Sequence, residues 1–230
     1  MAALVFLDAS EHQQLKHDHQ ARYQVNLQRH CLPVVLSEFV SAAASLPLVF
    51  IKDADSGIFR SCVLTGLVPG QNLCTDGVHW RGYEPKVMWH QPLMAVAQRK
   101  GGYAIAVEHP HAQLSETHGQ PLFHAQQATP YLQQLSQLAI QWQAETEQTQ
   151  AFITTLLKLS LLEPQTLTVQ GPQGPFDVKG CYVINGRQLS ALPDADFLSL
   201  REQGYLPAIY AAQASLGQVD VLIAQLQARG

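Results

Sequence analysis

Histidine, a residue type that can bind metal ions or transfer protons, is unevenly placed in this chain of 230 residues. All ten histidines lie at or before position 124, and eight of them fall into two groups: His12, His17, His19 and His30, then His109, His111, His118 and His124. His109 and His111 are two positions apart, and side chains two apart on a strand share a face. Because imidazole is a common ligand of Zn²⁺ and Fe²⁺, the pair predicts a metal site if a nearby loop supplies a further ligand. Scattered surface imidazoles are the alternative interpretation, and no cofactor is predicted.

The densest aromatic stretch is the element Trp80-Arg81-Gly82-Tyr83-Glu84-Pro85, which Trp89 follows closely. Trp, Tyr and Arg provide large, rigid contact areas and dominate binding hot spots, so Trp80, Arg81, Tyr83 and Trp89 are predicted to bind a ligand or a partner. The alternative is structural: the rings pack a loop onto a sheet, and Arg81 stacks on or pairs with a neighbour.

Lys52 and Asp53 stand at the end of a predicted strand and are added to the predicted binding residues. A surface ion pair in a turn is the commoner role for such a pair and contributes little to stability. No catalytic residue is predicted, because the chain has neither a G-x-S-x-G nucleophile motif nor a Gly-rich phosphate loop. His30 and Cys31 are adjacent, and neighbouring side chains on a strand point to opposite faces.

Apolar runs in the first half of the chain are short and are separated by turn-forming residues. The runs at 48–51 and 58–64 flank a Gly-containing turn, and those at 93–97 and 103–108 flank Gly101-Gly102, so both predict β-hairpins.

Apolar residues at helical spacing predominate in the second half of the chain. Thr129-Pro130 is typical of a helix start, and apolar residues then recur at helical spacing up to Pro164. This pattern predicts one long helix or two helices broken near Glu145-Thr146-Glu147. Two further helices are predicted over 193–204 and 217–228. The fold class is therefore α+β: an antiparallel sheet in the N-terminal half packed with helices, and a helix-rich C-terminal third. We expect a single domain over 1–230, with possible sub-structure into a sheet-rich 1–108 and a helix-rich 129–230.

The chain has few charged residues from which to form a polar surface. The chain has 14 Lys and Arg, 18 Asp and Glu, and 28 Gln, for a net charge of −4. This balance argues against nucleic-acid binding, and no apolar run approaches the roughly 20 residues that span a bilayer. Because neutral amides cost less to desolvate than ions, the Gln-rich outer face of the 130–162 helix predicts a homo-oligomer or partner interface. Four widely spaced cysteines without a C-x-x-C pair predict reduced thiols and a cytoplasmic location.

A family resemblance comes from longer stretches of the chain. The string LPLVFIKDADSGIFRSCVLTGLVPGQNL at 46–73, the Trp80–Pro85 element, and the later Gly204-Tyr205-Leu206 and Ser215-Leu216 resemble the SapC-like family of bacterial proteins. This is the soluble family and not the membrane permease that shares the name. The similarity covers most of the chain and is weakest over 109–128.

The resemblance implies a gene neighbourhood and does not imply a particular reaction. Family members are often encoded beside flavin-dependent tryptophan halogenases, cupin-like oxygenases and outer-membrane receptors. We therefore expect a non-catalytic accessory or binding protein that binds a protein partner, a peptide or an aromatic ligand. The alternatives are a metal-dependent enzyme that uses His109 and His111, and a structural component associated with a surface layer.

Overall fold

A computed structural model describes residues 3–171 and 174–229. The strands are β1 Ala3–Phe6, β2 Lys16–His17, β3 Cys31–Pro33, β4 Leu48–Lys52, β5 Phe59–Leu64, β6 Leu93–Ala97, β7 Tyr103–His109, β8 Leu114–Ser115, β9 Gln120–Pro121, β10 Phe123–His124, β11 Gln127–Ala128, β12 Leu162–Gly171 and β13 Gly174–Ile184. The helices are α1 Phe39–Ala43, α2 Val87–His90, α3 Pro130–Lys158, α4 Gly186–Ser190, α5 Asp194–Glu202, α6 Leu206–Ser215 and α7 Gln218–Ala228. The predicted α+β class is confirmed, with antiparallel strands and a helix-rich C-terminal region.

The chain divides into two compact units, each assembled from separated segments. Unit 1 comprises 1–27, 75–80 and 86–144, and unit 2 comprises 28–74, 81–85 and 145–230. Neither unit corresponds to one half of the sequence, and one boundary falls inside α3. A single domain over 1–230 stays a prediction.

Unit 1 contains two small three-stranded sheets. The first has the order β1-β7-β6, in which the predicted hairpin of 93–97 and 103–108 is confirmed by the antiparallel register of Leu93 with Val107. The second has the order β8-β2-β9, in which β2 of the N-terminal segment lies between two short strands of the segment 109–128.

The core of unit 1 lies between these sheets and the first half of α3. Its buried apolar members are Leu15, Leu93, Val107, Leu122, Phe123, Leu132, Leu135 and Ala139. Leu132, Leu135 and Ala139 recur at helical spacing, so burial of one stripe holds α3 against the strands. Thr129 begins this helix as predicted, because its Oγ1 accepts a hydrogen bond from the Leu132 backbone N–H at 3.2 Å.

Unit 2 contains one five-stranded antiparallel sheet with the order β12-β13-β4-β5-β3. The β4–β5 hairpin is confirmed, with Val49 opposite Cys62 and Lys52 opposite Phe59. The long C-terminal hairpin of β12 and β13 joins this sheet where Cys181 pairs with Ile51. The sequence did not indicate this long-range pairing.

An aromatic cluster forms the centre of unit 2. The ring of Phe152 lies 5.7 Å from that of Phe39 and 4.9 Å from that of Tyr205, both in edge-to-face arrangements. Such pairs stabilise a core beyond the burial of their apolar area. Phe39, Phe50 and Phe152 are fully buried, so this cluster holds α1 and the second half of α3 on the inner face of the sheet.

The end of α3 differs from the prediction. The helix ends at Lys158 and not at 162, because Ser160 has a left-handed backbone with φ 56° and β12 then begins at Leu162. By contrast, α5 ends as expected: Gly204 has φ 72°, and the Tyr205 N–H donates to the Leu200 carbonyl at 3.0 Å.

Among the helices of the described residues, none combines the length and the apolar composition needed to cross a membrane.

Candidate binding site

His17 is the buried polar centre of unit 1. It lies on β2, which pairs with β8 on one side and β9 on the other, and its exposed fraction is only 1%. The close approach of this strand to the turn before β9 requires glycine at position 119. A Cβ there would lie 2.7 Å from the His17 carbonyl carbon, and its φ of 99° also disfavours other residues.

Both ring nitrogens of His17 have hydrogen-bond partners. Nε2 lies 3.1 Å from the Gln91 carbonyl oxygen, which can only accept, so Nε2 carries the proton. Nδ1 then accepts from the Tyr131 hydroxyl, at 2.7 Å. The Gln113 side-chain amide lies against the same ring, with 3.4 Å between the two nitrogens. The two hydrogen bonds of the imidazole therefore tie β2 to the start of α3 and to the loop before β6.

Burial keeps this imidazole neutral. Desolvation lowers the pKa of His17 to about 4, and the hydrogen bond to the Gln91 carbonyl is the largest influence against it. His19 and His111 lower this pKa slightly further, whereas Asp18 raises it. Burial likewise raises the pKa of Tyr131, which favours the protonated hydroxyl that donates to His17. A neutral, buried imidazole with a hydrogen bond at each ring nitrogen is suited to stabilising the fold rather than to binding a ligand.

A continuous series of ring and cation contacts begins next to His17 and reaches the surface. We call its members His19, Arg22, Tyr23, Trp80 and Trp89 the aromatic ladder. The Arg22 guanidinium lies 4.1 Å from the Tyr23 ring centre and 5.7 Å from that of Trp89. Trp80 stacks on Tyr23 with centroids 6.0 Å apart, and His19 lies 5.6 Å from Trp89. The ladder thus brings together two predicted site residues, Trp80 and Trp89.

A short helical turn positions one side of the ladder. Residues His19–Arg22 form a 3-10 turn, and the Asp18 side chain caps it by accepting from the Gln20 N–H at 2.9 Å. The Arg22 guanidinium is further held by a hydrogen bond of 3.1 Å to the His19 carbonyl.

Two other local structures position the tryptophans. Trp80 pairs with Thr75 in an isolated β-bridge, and Thr75 Oγ1 closes that turn by donating to the His79 carbonyl at 2.7 Å. Trp89 lies on α2, where Val87, Met88 and His90 are buried while Trp89 remains 44% exposed. Packing of its neighbours therefore directs the Trp89 ring outwards.

The ladder is suited to recognising flat or cationic groups by stacking, and anionic groups through Arg22. Rings and guanidinium that already contact one another lose little freedom when a ligand binds. From the sequence, His19 was named only within a histidine group, and Arg22 and Tyr23 were not selected, although the i, i+3 and i+4 spacing of the three residues after an Asp cap was an available signal.

Tyr83 and Arg81, the other two residues of the predicted aromatic element, belong to unit 2 rather than to the ladder. The Tyr83 hydroxyl donates to the buried Glu38 carboxylate at 3.1 Å, and the Tyr83 N–H donates to Ser45 Oγ at 2.8 Å. Glu38 also accepts from the Val35 N–H at 2.9 Å. Burial, followed by the Glu38 charge, raises the pKa of Tyr83, so the hydroxyl stays a donor. Arg81 is exposed, and its N–H donates to the Cys74 carbonyl at 2.8 Å.

Lys52 and Asp53 lie at the β4–β5 turn of unit 2. Asp53 accepts from the Ser56 N–H at 2.8 Å and from the Ser56 hydroxyl at 2.6 Å, and these bonds lower the pKa of its carboxyl. The Lys52 ammonium lies 5.8 Å from the Phe59 ring centre. Both side chains therefore have contacts that stabilise the turn.

His109 and His111 flank Pro110 in unit 1. His109 is exposed at the end of β7, and His111 Nδ1 accepts from the Gln113 N–H at 3.2 Å. Across residues 3–171 and 174–229, no group of three or more His, Cys, Asp or Glu is placed to hold a metal ion. Metal binding by this pair stays a prediction that elemental analysis of the purified protein can check.

We predict that the stability of the protein falls on acidification because of His17. Its folded-state pKa of about 4 lies below the ordinary value of 6.5, so the unfolded chain binds the additional proton between these values. This linkage removes about 2 kcal/mol from the free energy of unfolding between pH 7.5 and pH 5. His17→Gln should be less stable at pH 7.5 but should lose less stability on acidification, as measured by urea denaturation.

The exposed His124 provides the control for this test. His124→Gln should retain the wild-type decline, since its imidazole is not enclosed. An unchanged pH dependence in His17→Gln would contradict the assignment to His17.

A second prediction concerns the Tyr83 hydroxyl. Tyr83→Phe removes a donor from a carboxylate that is only 1% exposed, so we expect a loss of about 1–3 kcal/mol in the free energy of unfolding. Tyr210→Phe, which alters an exposed ring, should change it by less than about 0.5 kcal/mol. Equal effects of the two substitutions would argue against a structural role for the Glu38–Tyr83 bond.

Comparison with known proteins agrees with the motifs at 46–73 and 80–85. The SapC family model matches residues 7–222, which is nearly the whole chain and includes every residue of the aromatic ladder. No curated protein and no solved structure matches the chain. The chain belongs to the SapC family.

Proposed function

We propose that this SapC family protein is a non-catalytic accessory or binding protein, and that the aromatic ladder of unit 1 is its recognition surface. The ligand is a peptide or another molecule that presents an aromatic group. The observation that carries the proposal is the unbroken contact series from Trp80 through Tyr23 and Arg22 to the exposed Trp89.

The composition of the ladder supports this role. Trp, Tyr and Arg are the residue types most enriched among binding hot spots, and here they lie side by side. An exposed cation–π contact contributes only about 0.5–1 kcal/mol to stability, so fold stability alone gives little reason to keep Trp89 at the surface. His17 supports the ladder from within, since its ring lies 6.2 Å from that of His19.

The partners that fit this role are tailoring enzymes. The family context suggests a flavin-dependent tryptophan halogenase or a cupin-like oxygenase, with the protein presenting a peptide or aromatic substrate. We place this activity in the cytoplasm, where thiols are kept reduced, and the four cysteines are free thiols.

We predict that truncating Trp89 abolishes recognition. Trp89→Ala and Arg22→Ala should each weaken binding at least tenfold, because loss of a hot-spot side chain costs about 1.4 kcal/mol or more. Binding is measured by calorimetry with Trp- and Tyr-containing peptides, and by pull-down of a purified halogenase or cupin-like oxygenase encoded in the same gene neighbourhood.

Tyr210→Ala is the matched control, since it removes an aromatic ring that is 49% exposed on α6, outside the ladder. This variant should bind as the wild type does. Binding that survives both ladder substitutions, or that is lost in Tyr210→Ala alone, would overturn the assignment of the surface.

A second contact surface is proposed on α3. Gln134, Gln137 and Gln141 are exposed, and their spacing of three and four residues places them on one face of the helix. Gln137 also borders an open depression of about 550 Å³ with the apolar side chains Leu7, Ile105, Phe123 and Leu132 in its lining. The desolvation free energy of burying a neutral face beside apolar side chains is small, so this face suits a homo-oligomer or a partner helix.

We predict that the double substitution Gln134→Glu and Gln141→Glu disturbs this association. Two buried charges would have to be desolvated, so we expect the oligomer to dissociate at micromolar concentration, measured by light scattering after size exclusion. Gln98→Glu with Gln127→Glu adds the same charge at exposed positions outside α3 and should leave the mass unchanged. An unchanged mass and unchanged partner binding in the α3 variant would contradict the interface.

A further inference from the structure

Two cysteines of unit 2 lie together on one face of the sheet. In the register of β3 with β5, Cys31 is opposite Leu64 and Pro33 is opposite Cys62. Residues opposite each other in an antiparallel pair share a face, so Cys31 and Cys62 are diagonal neighbours on the same face. This placement brings the two thiols close enough for each to shift the pKa of the other.

The two thiols differ in exposure and in acidity. Cys31 is half-buried on the edge strand, whereas Cys62 on β5 is only 7% exposed. The hydrogen bond from Cys62 lowers the pKa of Cys31, and the nearby Arg29 charge lowers it further, against an opposing effect of burial. The same hydrogen bond and burial raise the pKa of Cys62. Cys31 is thus the more exposed and more acidic member of the pair, and Cys62 is the member that keeps its proton.

The remaining cysteines have neither property. Burial raises the pKa of Cys74 to about 12, and the Cys74 thiol lies 3.7 Å from the Thr65 carbonyl oxygen. Burial also raises the pKa of Cys181. Cys181 lies on β13, which β4 separates from β5, so it cannot reach Cys62 across the intervening strand.

We propose that Cys31 and Cys62 form a peroxide-reactive thiol pair, in which Cys31 is attacked first and Cys62 then closes a disulfide between β3 and β5. In the first step the Cys31 thiolate attacks one oxygen of hydrogen peroxide, the O–O bond breaks, and hydroxide leaves. Cys31 becomes a sulfenic acid, oxidised by two electrons, and the peroxide is reduced.

In the second step the Cys62 sulfur attacks the Cys31 sulfur. The S–O bond of the sulfenic acid breaks, the thiol proton leaves with the hydroxyl group as water, and an S–S bond forms. Diagonal neighbours in an antiparallel sheet stand about 7–8 Å apart between Cα atoms, which is slightly beyond the usual disulfide range. Closure therefore draws β3 towards β5, and β3 can move because it is short and has a neighbour on one side only.

This inference is independent of the aromatic ladder. It concerns thiol oxidation in unit 2, and neither Cys31 nor Cys62 belongs to the proposed recognition surface. Loss of peptide or enzyme binding would leave it intact, and absence of thiol oxidation would leave the binding proposal intact.

The test uses the whole wild-type protein, treated with one equivalent of hydrogen peroxide at pH 7 and then alkylated in denaturant. We expect two alkylatable thiols to remain out of four, and a cross-link between the tryptic peptides 30–52 and 61–81. Because peptide 61–81 carries both Cys62 and Cys74, fragmentation must locate the linked sulfur. Cys31 should also be alkylated at least roughly tenfold faster than either Cys74 or Cys181 in the folded protein.

Two substitutions separate the steps. In Cys62→Ala the sulfenic acid should persist on Cys31 and be trapped by dimedone, whereas Cys31→Ser should show no oxidation at the same dose. Cys181→Ala is the control and should close the disulfide as the wild type does. Circular dichroism of each variant checks folding. The thiol count and the cross-link mapping in the wild-type protein test the proposal independently of the variants.

Several outcomes would overturn the proposal. These are four intact thiols after peroxide treatment, a linkage through Cys74 or Cys181, or dimedone labelling of Cys31→Ser equal to that of the wild type.

Discussion

Unit 1 depends on a buried histidine whose imidazole stays neutral. His17 donates to the Gln91 carbonyl and accepts from the Tyr131 hydroxyl, so one ring connects β2, the loop before β6 and the first turn of α3. An enclosed imidazole without these partners would carry the cost of unsatisfied polar atoms, and a protonated one would carry the cost of a buried charge. The aromatic ladder starts two residues later, so the orientation of its first member follows from the anchoring of β2.

Unit 2 contains a second buried ionisable group that is held by hydrogen bonds. Its buried carboxylate, Glu38, accepts hydrogen bonds from the Val35 N–H and the Tyr83 hydroxyl. His17 and Glu38 are each enclosed together with a hydrogen-bond partner from a distant segment, and this makes the arrangement specific. The Trp80–Pro85 element shows the consequence. Trp80 contributes to a partly exposed stack, while Tyr83 holds a buried carboxylate, so one sequence motif serves two separate purposes.

The surface of the protein has few charged side chains. With 28 Gln and few ionic side chains, neutral amides provide much of the polarity, and exposed amides on α3 lie beside apolar side chains. Recognition by stacking at the ladder and by amide contacts at α3 would both depend little on ionic strength, because neither relies mainly on charge pairs.

The sequence by itself determined the features that local chemistry controls. These include the hairpin of β4 and β5, that of β6 and β7, the start of α3 at Thr129-Pro130, the Gly204 end of α5 and the family. Trp80 and Trp89 could be selected from residue type alone. Only the tertiary structure decided that Arg22 and Tyr23 lie between them, that Tyr83 binds Glu38, and that β13 pairs with β4. Each of these contacts joins residues far apart in the chain, and local spacing carries no information about which distant segments become neighbours when the core closes. The end of α3 shows the same limit: apolar residues continue past 158, and the left-handed turn at Ser160 turns a helical pattern into a strand that must pair with β13.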